Sequence, residues 1–252
     1  IYVNNIKQTV RYRLKVGDSL TVHLPPETIG LRMEPIQMPL TIKYEDEDIF
    51  ILDKPANIAT IPSQKHPINT IANGVLAYYK EQNLPYTVHV VTRLDKDTSG
   101  LVLIAKHRYS HSILDRVIKE GKIKRKYTAI VHGRLKNRTG IIDAPIGRKT
   151  DSIIEREVRK DGKEAVTHYQ VIQQFANYAM VEIELQTGRT HQIRVHFSYI
   201  GHPLIGDDLY GMKSNIITRQ ALHASHLCFD HPFKEKRIAI ESNIPQDMKQ
   251  LL

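Results

Sequence analysis

Apolar and polar residues alternate in two short runs at the start of the chain, over residues 1–3 and 19–24, and turn-forming residues separate the two runs. This pattern predicts a small β unit. Prolines then interrupt a stretch of little periodicity, which is typical of a linker. These prolines are Pro25, Pro26, Pro35 and Pro39. We therefore expect a first unit with its linker over residues 1–38 and a larger domain over residues 39–252.

The larger domain begins with a mixture of strand-like and helix-like patterns. β-rich runs occur at residues 40–44, 48–52, 88–94 and 101–105. Between the second and third runs, Ile71, Val75 and Tyr79 recur at helical spacing and predict an amphipathic helix over residues 69–80. The polar residues 95–100 join the last two runs, so we expect a hairpin connection there.

The second half of the chain repeats this mixture. Strands are predicted at residues 126–131, 165–173, 178–185, 220–229 and 237–241. An apolar pattern over residues 113–118 predicts another helix, with Gly121 as its stop. A similar pattern predicts a helix over residues 190–200 that Thr190 caps, and Pro245 begins a short last helix. Helices scattered among hairpins indicate an α+β fold, with a mainly antiparallel mixed sheet, flanking helices and the small β unit in front.

Composition places the chain among globular proteins, with 41% hydrophobic and 25% charged residues. The longest purely apolar run, residues 101–105, is too short to cross a bilayer, so we expect no membrane partner. The single cysteine, Cys228, cannot form an intramolecular disulfide. A reducing compartment fits this cysteine content, and we expect the protein in the cytoplasm.

Positive charge is concentrated in one part of the chain. The whole chain carries a formal net charge of +9, whereas residues 106–163 alone hold 17 Lys and Arg residues against seven Asp and Glu residues, a net charge of +10. Such a concentration attracts phosphate polyanions. Charge alone leaves two alternatives open: a surface that binds nucleic acid, or the solvated face of an ordinary basic protein.

Single residues suggest several kinds of chemistry without choosing among them. Asp95 and Asp97 stand two positions apart beside Arg93, which suits either paired carboxylates or an ordinary surface turn. Histidines gather in the C-terminal third, but His191 and His196 would lie about 140° apart on a helix. With no second cysteine, we expect no metal site. The sequence lacks phosphate loops, dinucleotide fingerprints and nucleophile elbows, which argues against nucleotide-driven, hydride-transfer and serine-hydrolase chemistry.

Four sequence motifs together resemble the RluA family of RNA pseudouridine synthases. They are RLDKDTSGL at residues 93–101, KYTAIVHG at 126–133, TGRTHQIRVH at 187–196 with GHPLIGD at 201–207, and ALHA at 221–224 followed by Leu227, Phe229, His231 and Pro232. Their order and spacing agree with that family over about residues 40–250. One position departs from the pattern, because the family usually has His where this chain has Thr92.

The resemblance implies a domain that isomerises uridine within RNA, a redox-neutral reaction that needs no cofactor. It implies that Asp95 is the catalytic carboxylate, that Arg194 is its buried basic partner and that Tyr127 stacks on the target uracil. The sequence does not choose among three roles of Asp95: attack on the sugar, attack on the base, or removal of a sugar proton. Taken singly, Arg194 also suits a phosphate contact, and Tyr127 a place in the core.

The same resemblance implies which residues contact the substrate. Arg93 is expected to fill the gap left when the uridine leaves the RNA helix, and Leu222 to pack near the pocket or in the core. The other expected substrate-binding residues are Lys126, Arg189 and His191. The cations of residues 106–163 are expected to bind RNA phosphates.

The first residues resemble the closing part of a small RNA-binding domain that several members of this family carry ahead of the catalytic domain. The similarity rests on VNN at residues 3–5 and VGD at residues 16–18. We therefore expect residues 1–24 to be the remnant of that module, with its RNA-facing helices upstream of Ile1. The module favours ribosomal RNA over transfer RNA as the substrate, and a monomer is the expected state.

Two alternatives come from other classes of protein. The first is a catalytically silent RNA-binding module that keeps the pocket. The second is a basic structural protein of the ribosome. The presence of Asp95, Tyr127 and Arg194 together argues against the first, and the run of four motifs argues against the second.

Overall fold

The computed structural model describes residues 1–23, 27 and 33–252 of the chain. Within these ranges the strands are β1 Tyr2–Val3, β2 Ile6–Lys7, β3 Leu20–Thr21, β4 Thr41–Glu45, β5 Ile49–Lys54, β6 His89–Val90, β7 Ser99–Ala105, β8 Lys124–His132, β9 Thr139–Asp143, β10 Ile146–Arg148, β11 Arg156–Val158, β12 Val166–Gln174, β13 Tyr178–Leu185, β14 Leu222–Asp230 and β15 Arg237–Glu241. The helices are α1 Ile71–Glu81, α2 Arg108–Lys119, α3 Gln192–Tyr199 and α4 Gln246–Lys249. No helix in the described part of the chain has both the length and the apolarity needed to span a bilayer.

The first three strands form a small antiparallel sheet in the order β2-β1-β3. Asn4 and Asn5 adopt the left-handed conformation, with φ of 51° and 65°, and turn the chain between β1 and β2. The Oδ1 atom of Asn4 accepts from the backbone N–H of Ser19 at 2.9 Å, which ties this turn to β3. The small β unit predicted here is present. The end of its second predicted run and the start of the predicted linker, Leu24, Pro25 and Pro26, lie outside the described residues, and the boundary near residue 38 stays a prediction.

A ten-stranded sheet forms the body of the larger domain, in the order β4-β5-β7-β14-β8-β13-β12-β9, with β15 paired to β14 and β6 paired to β7. Its pairs are antiparallel except that of β7 with β14. Strands β10 and β11 form a separate antiparallel pair. The fold is therefore α+β with a mainly antiparallel mixed sheet, as the sequence predicts, and the antiparallel pairing of β6 with β7 fits the predicted hairpin connection.

Strand β7 is buried on both faces of the sheet. Val102 and Ile104 pack in one cluster with residues of α1 and α3, whereas the alternate residues of the strand pack in a second cluster with Leu114 of α2. A strand covered on both sides needs apolar residues at successive positions, which explains the unbroken apolar run at 101–105. Helices α1 and α3 therefore lie on one face of the sheet and α2 on the other.

Local hydrogen bonds fix where two of the helices begin. At the start of α1, Oδ1 of Asn73 accepts from the backbone N–H of Thr70 at 3.0 Å. The predicted start of α3 is wrong, because the residue before the helix is His191, with φ of 58°, and not Thr190. The turn closes instead through the Gln192 side chain, whose Oε1 accepts from the backbone N–H of Arg189 at 2.9 Å.

Several strand predictions also need correction. The sequence does not predict β9, β10 and β11. Strand β9 lies at the edge of the sheet, where Ile141 is 64% exposed and the usual alternation is lost, and the other two strands are three residues long. The predicted strand at 88–94 ends at Val90, because the N–H groups of Val91 and Thr92 both donate to the carbonyl of Leu103. This doubled contact interrupts the ladder and turns the chain toward residues 93–98.

Candidate active site

A cleft of about 370 Å³ opens where the loop after β6, strands β8 and β14 and the start of α3 meet. Seven of the eight residues selected from the sequence line it. They are Arg93, Asp95, Tyr127, Arg189, His191, Arg194 and Leu222. Lys126, the eighth, does not line the cleft and forms an ion pair with Glu182 at 2.8 Å. The sheet order explains the convergence, because β7, β14 and β8 are neighbours although they are distant in sequence.

Buried donors hold the loop that carries Asp95. Lys54 is 1% exposed, and its amino group donates to three backbone carbonyls, of which that of Lys96 lies at 2.9 Å. Arg219 donates to the carbonyl of Asp97 at 3.1 Å. Because the two donors grip adjacent peptide groups, the loop has little freedom to move Asp95 away from the cleft.

Arg194 contacts two carboxylates. Its Nε and Nη2 atoms each lie 2.7 Å from an oxygen of Asp207, and its Nη1 lies 3.4 Å from Oδ2 of Asp95. The side chain of Asp207 is fully buried, whereas that of Asp95 is 27% exposed. Burial opposes the charged form of Arg194, but hydrogen bonds and the charges of the two carboxylates outweigh it and raise the pKa of the guanidinium. Arg194 therefore stays a cation and holds Asp95 with its remaining donor.

Asp207 and Tyr210 belong to this site, although the sequence-based selection does not include them. The guanidinium carbon of Arg194 lies 5.0 Å from the centre of the Tyr210 ring, and the Tyr210 hydroxyl lies 2.8 Å from Nδ1 of His191. Asp207 closes the GHPLIGD motif, and a buried arginine demands a buried acid, so this residue had a usable sequence signal. Tyr210 had none.

Tyr127 and Leu222 form apolar walls of the cleft. Tyr127 is 7% exposed on β8, and burial, with a further contribution from the charge of Asp95, raises the pKa of its phenol against the opposing effect of Arg125. The phenol is therefore neutral. Leu222 pairs with Ala129 across β14 and β8 and is buried in the same core cluster as Tyr127. Leu222 thus lines the cleft and also belongs to the core, so the two locations expected for it coincide.

Two exposed arginines stand at the mouth of the cleft. Arg93 is exposed on the loop after β6, and Arg189 is exposed just before α3. The turn that carries Arg189 is fixed by Gln192, and the Nε atom of Arg189 donates to the carbonyl of Glu164 at 2.8 Å. Exposed guanidinium groups at the rim suit contacts with phosphate.

One group of acidic and histidine side chains in the described ranges is close enough to share a cation: Asp46, Asp48 and His231, with candidate ligand atoms within 4.8 Å. Asp46 already accepts from His231 at 2.9 Å and from Lys234 at 3.0 Å. These contacts join the turn between β4 and β5 to the turn between β14 and β15. The group therefore has a structural role, which is to hold these two turns together. Neither turn contributes a residue to the cleft.

Comparison with known proteins connects this fold and cleft to one class of enzyme. The family model described as RNA pseudouridylate synthase matches residues 48–199. The chain is 48% identical over its full length to YjbO, an uncharacterized RNA pseudouridine synthase of Bacillus subtilis, and covers 89% of that protein. It is 40% identical to ribosomal large subunit pseudouridine synthase D of Buchnera aphidicola subsp. Acyrthosiphon pisum, over 94% of this chain and 80% of that protein.

A solved structure shows the same fold. Human RNA Pseudouridylate Synthase Domain Containing 1 matches with a TM-score of 0.68 and 23% identity, over 84% of this chain and 86% of that one. Fold and relatives together define an RNA pseudouridine synthase, which is an isomerase. This chain belongs to the RNA pseudouridylate synthase family, and the resemblance carried by its four motifs is confirmed.

Proposed function

We propose that this protein converts specific uridines of structured RNA to pseudouridine, with ribosomal RNA as the favoured substrate and Asp95 as the group that starts the reaction. The arrangement of Asp95 and Arg194 carries the proposal. The Asp95 carboxylate is accessible from the cleft, and the Arg194 cation lies 3.4 Å behind it. A fixed carboxylate in a cleft can form a covalent adduct and release it again.

The isomerisation leaves the composition of the RNA unchanged. The bond between ribose C1′ and N1 of uracil breaks, and a bond between C1′ and C5 forms. The proton lost from C5 is balanced by one gained at N1, so nothing is oxidised or reduced. Asp95 attacks the sugar, attacks the base or removes a sugar proton, and each role needs an unprotonated oxygen toward the substrate. Because Oδ2 faces Arg194, we assign that role to Oδ1.

Tyr127 supports the step between bond breaking and bond formation. After N1 leaves C1′, the uracil ring must turn so that C5 takes the place of N1. A flat aromatic wall holds a base by stacking without fixing its rotation in the plane of the ring. Leu222 closes the cleft with a second apolar surface, which keeps the detached uracil from leaving.

The two arginines at the mouth of the cleft assist entry of the nucleotide. Taking a uridine out of an RNA helix costs a few kcal/mol. The exposed guanidinium of Arg93 is planar and charged, so it can occupy the vacated position in the stack, while Arg189 binds a neighbouring phosphate.

The choice of ribosomal RNA is supported by relatives that are named ribosomal large subunit pseudouridine synthase D, at 36–40% identity. The small sheet over β1–β3 adds support, because its sequence resembles part of a small RNA-binding module. Transfer RNA is the alternative substrate. We propose that the protein acts as a monomer in the cytoplasm, where its free, buried Cys228 stays reduced.

The test is a direct assay for pseudouridine. The protein is incubated without added cofactor with unmodified ribosomal RNA and, separately, with unmodified transfer RNA, and pseudouridine is located by carbodiimide tagging and primer extension. We expect modification of ribosomal RNA at defined positions by the wild-type chain and none by Asp95→Asn. Modification of transfer RNA alone would overturn the substrate assignment. Binding of either RNA without modification would identify a catalytically silent RNA-binding module.

A further inference from the structure

A chain of polar contacts connects the β10–β11 pair to the catalytic carboxylate. The backbone N–H of Arg156 in β11 donates to the hydroxyl oxygen of Tyr210 at 2.8 Å, and the same oxygen lies 2.8 Å from Nδ1 of His191. The other ring nitrogen of His191, Nε2, lies 3.8 Å from Oδ2 of Asp95. His191 therefore stands between a phenol and a carboxylate, and the position of its proton decides what it presents to Asp95.

The single hydroxyl proton of Tyr210 determines which group donates and which group accepts in the hydrogen bond between Tyr210 and His191. The phenol oxygen already accepts the N–H of Arg156, and the phenol has one proton of its own to donate. Among the described residues, Nδ1 of His191 is the acceptor within reach of that proton. If Nδ1 carried a proton instead, the phenol oxygen would accept two hydrogen bonds, and the phenol O–H would have no acceptor in His191. An unsatisfied donor in a part-buried site costs free energy.

Resting on the function proposed above, we propose that Tyr210 donates its hydroxyl proton to Nδ1 of His191 and so holds His191 as a neutral imidazole whose Nε2–H faces Oδ2 of Asp95. His191 and Tyr210 are then positioning residues. A neutral N–H orients Oδ2 without adding a second full positive charge to that of Arg194. An imidazolium in the same place would form an ion pair with Asp95 and make the carboxylate a weaker nucleophile or base.

The charged groups around His191 agree with the neutral form. Burial is the largest effect and, together with the charges of Arg194 and Arg156, lowers the pKa of His191 against the opposing charges of Asp95 and Asp207. The ring also packs edge to face on Tyr210, with ring centres 5.5 Å apart. The hydrogen bond from Tyr210 adds to this preference, because it stabilises only the form in which Nδ1 is unprotonated.

The tautomer can be read directly by NMR without RNA. Two-bond ¹H–¹⁵N correlation on the full chain with ¹⁵N-labelled histidine shows which ring nitrogen carries the proton, and His191→Gln identifies the signals of this residue. At neutral pH we expect a protonated Nε2 and an unprotonated Nδ1. A protonated Nδ1, in either the neutral or the charged ring, would overturn the proposal.

Tyr210→Phe removes the hydroxyl and keeps the ring under Arg194. The neutral form of His191 then loses its hydrogen bond, so we expect the pKa of His191 in the NMR titration, and the acid limb of the kcat profile, to move to higher pH by about one unit. At pH values below both pKa values kcat should fall about tenfold, which is the effect of a ~1.4 kcal/mol loss. At pH 8.5 it should return to within about threefold of wild type, with KM for RNA unchanged in both pH ranges.

Tyr199→Phe is the matched control, because Tyr199 ends α3 with its side chain 62% exposed and should keep the wild-type profile. A loss of kcat in Tyr210→Phe that is equal at all pH values would show a purely structural role and overturn the proposal, as would an unchanged or lowered pKa of His191. If the wild-type chain forms no pseudouridine, the proposed function fails, whereas the NMR result still decides the state of His191.

Discussion

Asp207 shows how one buried residue behind Asp95 and Arg194 organises the candidate site. Its two oxygens bind Arg194, and Oδ1 also accepts from the backbone N–H groups of Leu209 and Tyr210 at 3.1 Å. One buried carboxylate thus fixes both the cation behind Asp95 and the turn that carries Tyr210. Motif similarity selects Arg194 and makes Asp207 a candidate for its partner, but only the contact between the two side chains, 13 positions apart, identifies Asp207 as the acid that neutralises it.

Replacing Asp207 should cost stability as well as activity. Asp207→Ala leaves the buried Arg194 without its main partner, and we expect the free energy of unfolding to fall by roughly 3–5 kcal/mol in urea denaturation. Asp208→Ala is the control, because Asp208 is exposed and adjacent, and it should change stability by less than about 0.5 kcal/mol. Equal stability of the two variants would show that Arg194 does not depend on Asp207.

Replacing Asp95 should abolish pseudouridine formation and leave RNA binding nearly unchanged. Asp95→Asn preserves the shape of the side chain but removes the charged oxygen, so we expect pseudouridine formation to fall by at least about 1,000-fold. RNA affinity, measured by filter binding, should stay within a few-fold, because the exposed cations are unchanged. An Asp95→Asn variant that still forms pseudouridine would remove this residue from its proposed role.

At the scale of elements, regular hydrophobic periodicity decides which helices and strands can be predicted from the sequence. Helix α1 and strand β7 follow from the spacing of Ile71, Val75 and Tyr79 and from the run at 101–105, because their buried faces are continuous. Strands β9, β10 and β11 escape prediction, since they are short or lie at an edge where apolar side chains are exposed. The catalytic candidates were found through motif resemblance, whereas their convergence follows from the order of β7, β14 and β8.

Gly100 allows the backbones of β7 and β14 to approach closely beside the loop that carries Asp95. It has φ of +110°, and a Cβ atom there would lie 2.6 Å from the backbone nitrogen of Ala224. Gly100→Ala should therefore lower stability by roughly 3 kcal/mol through strain and overpacking, and it should reduce kcat by displacing the loop that carries Asp95. Gly121→Ala is the matched control: it has φ of +70° but open space, so thermal unfolding should show a loss of only ~1 kcal/mol. Similar losses in both variants would mean that β7 can move away from β14 without cost.

At the scale of the whole molecule, the cleft and the exposed cations of residues 106–163 are proposed to contact different parts of the RNA. Under the proposed function the cleft receives a single nucleotide, and it is too small to hold a structured RNA. Exposed cations of the basic region lie on other elements, among them Arg134 and Lys136 in the loop after β8, and Arg148 and Lys160 at or near the ends of β10 and β11. The excess of positive charge over residues 106–163 could be read from the sequence, whereas the contact of β11 with Tyr210 beside the cleft could not.

These cations predict a steep response of RNA binding to salt. Removal of one phosphate-binding cation should reduce the slope of log K against log salt by roughly 0.7–0.9. We therefore expect the double variant Arg148→Ala/Lys160→Ala to bind RNA more weakly and to reduce the slope by about 1–2. The control Lys80→Ala/Lys249→Ala removes the same charge from exposed positions on α1 and α4, outside the basic region, and should leave the slope unchanged. If both pairs changed the slope equally, net charge rather than this surface would account for binding, and a flat response of the wild-type chain would contradict the phosphate contacts themselves.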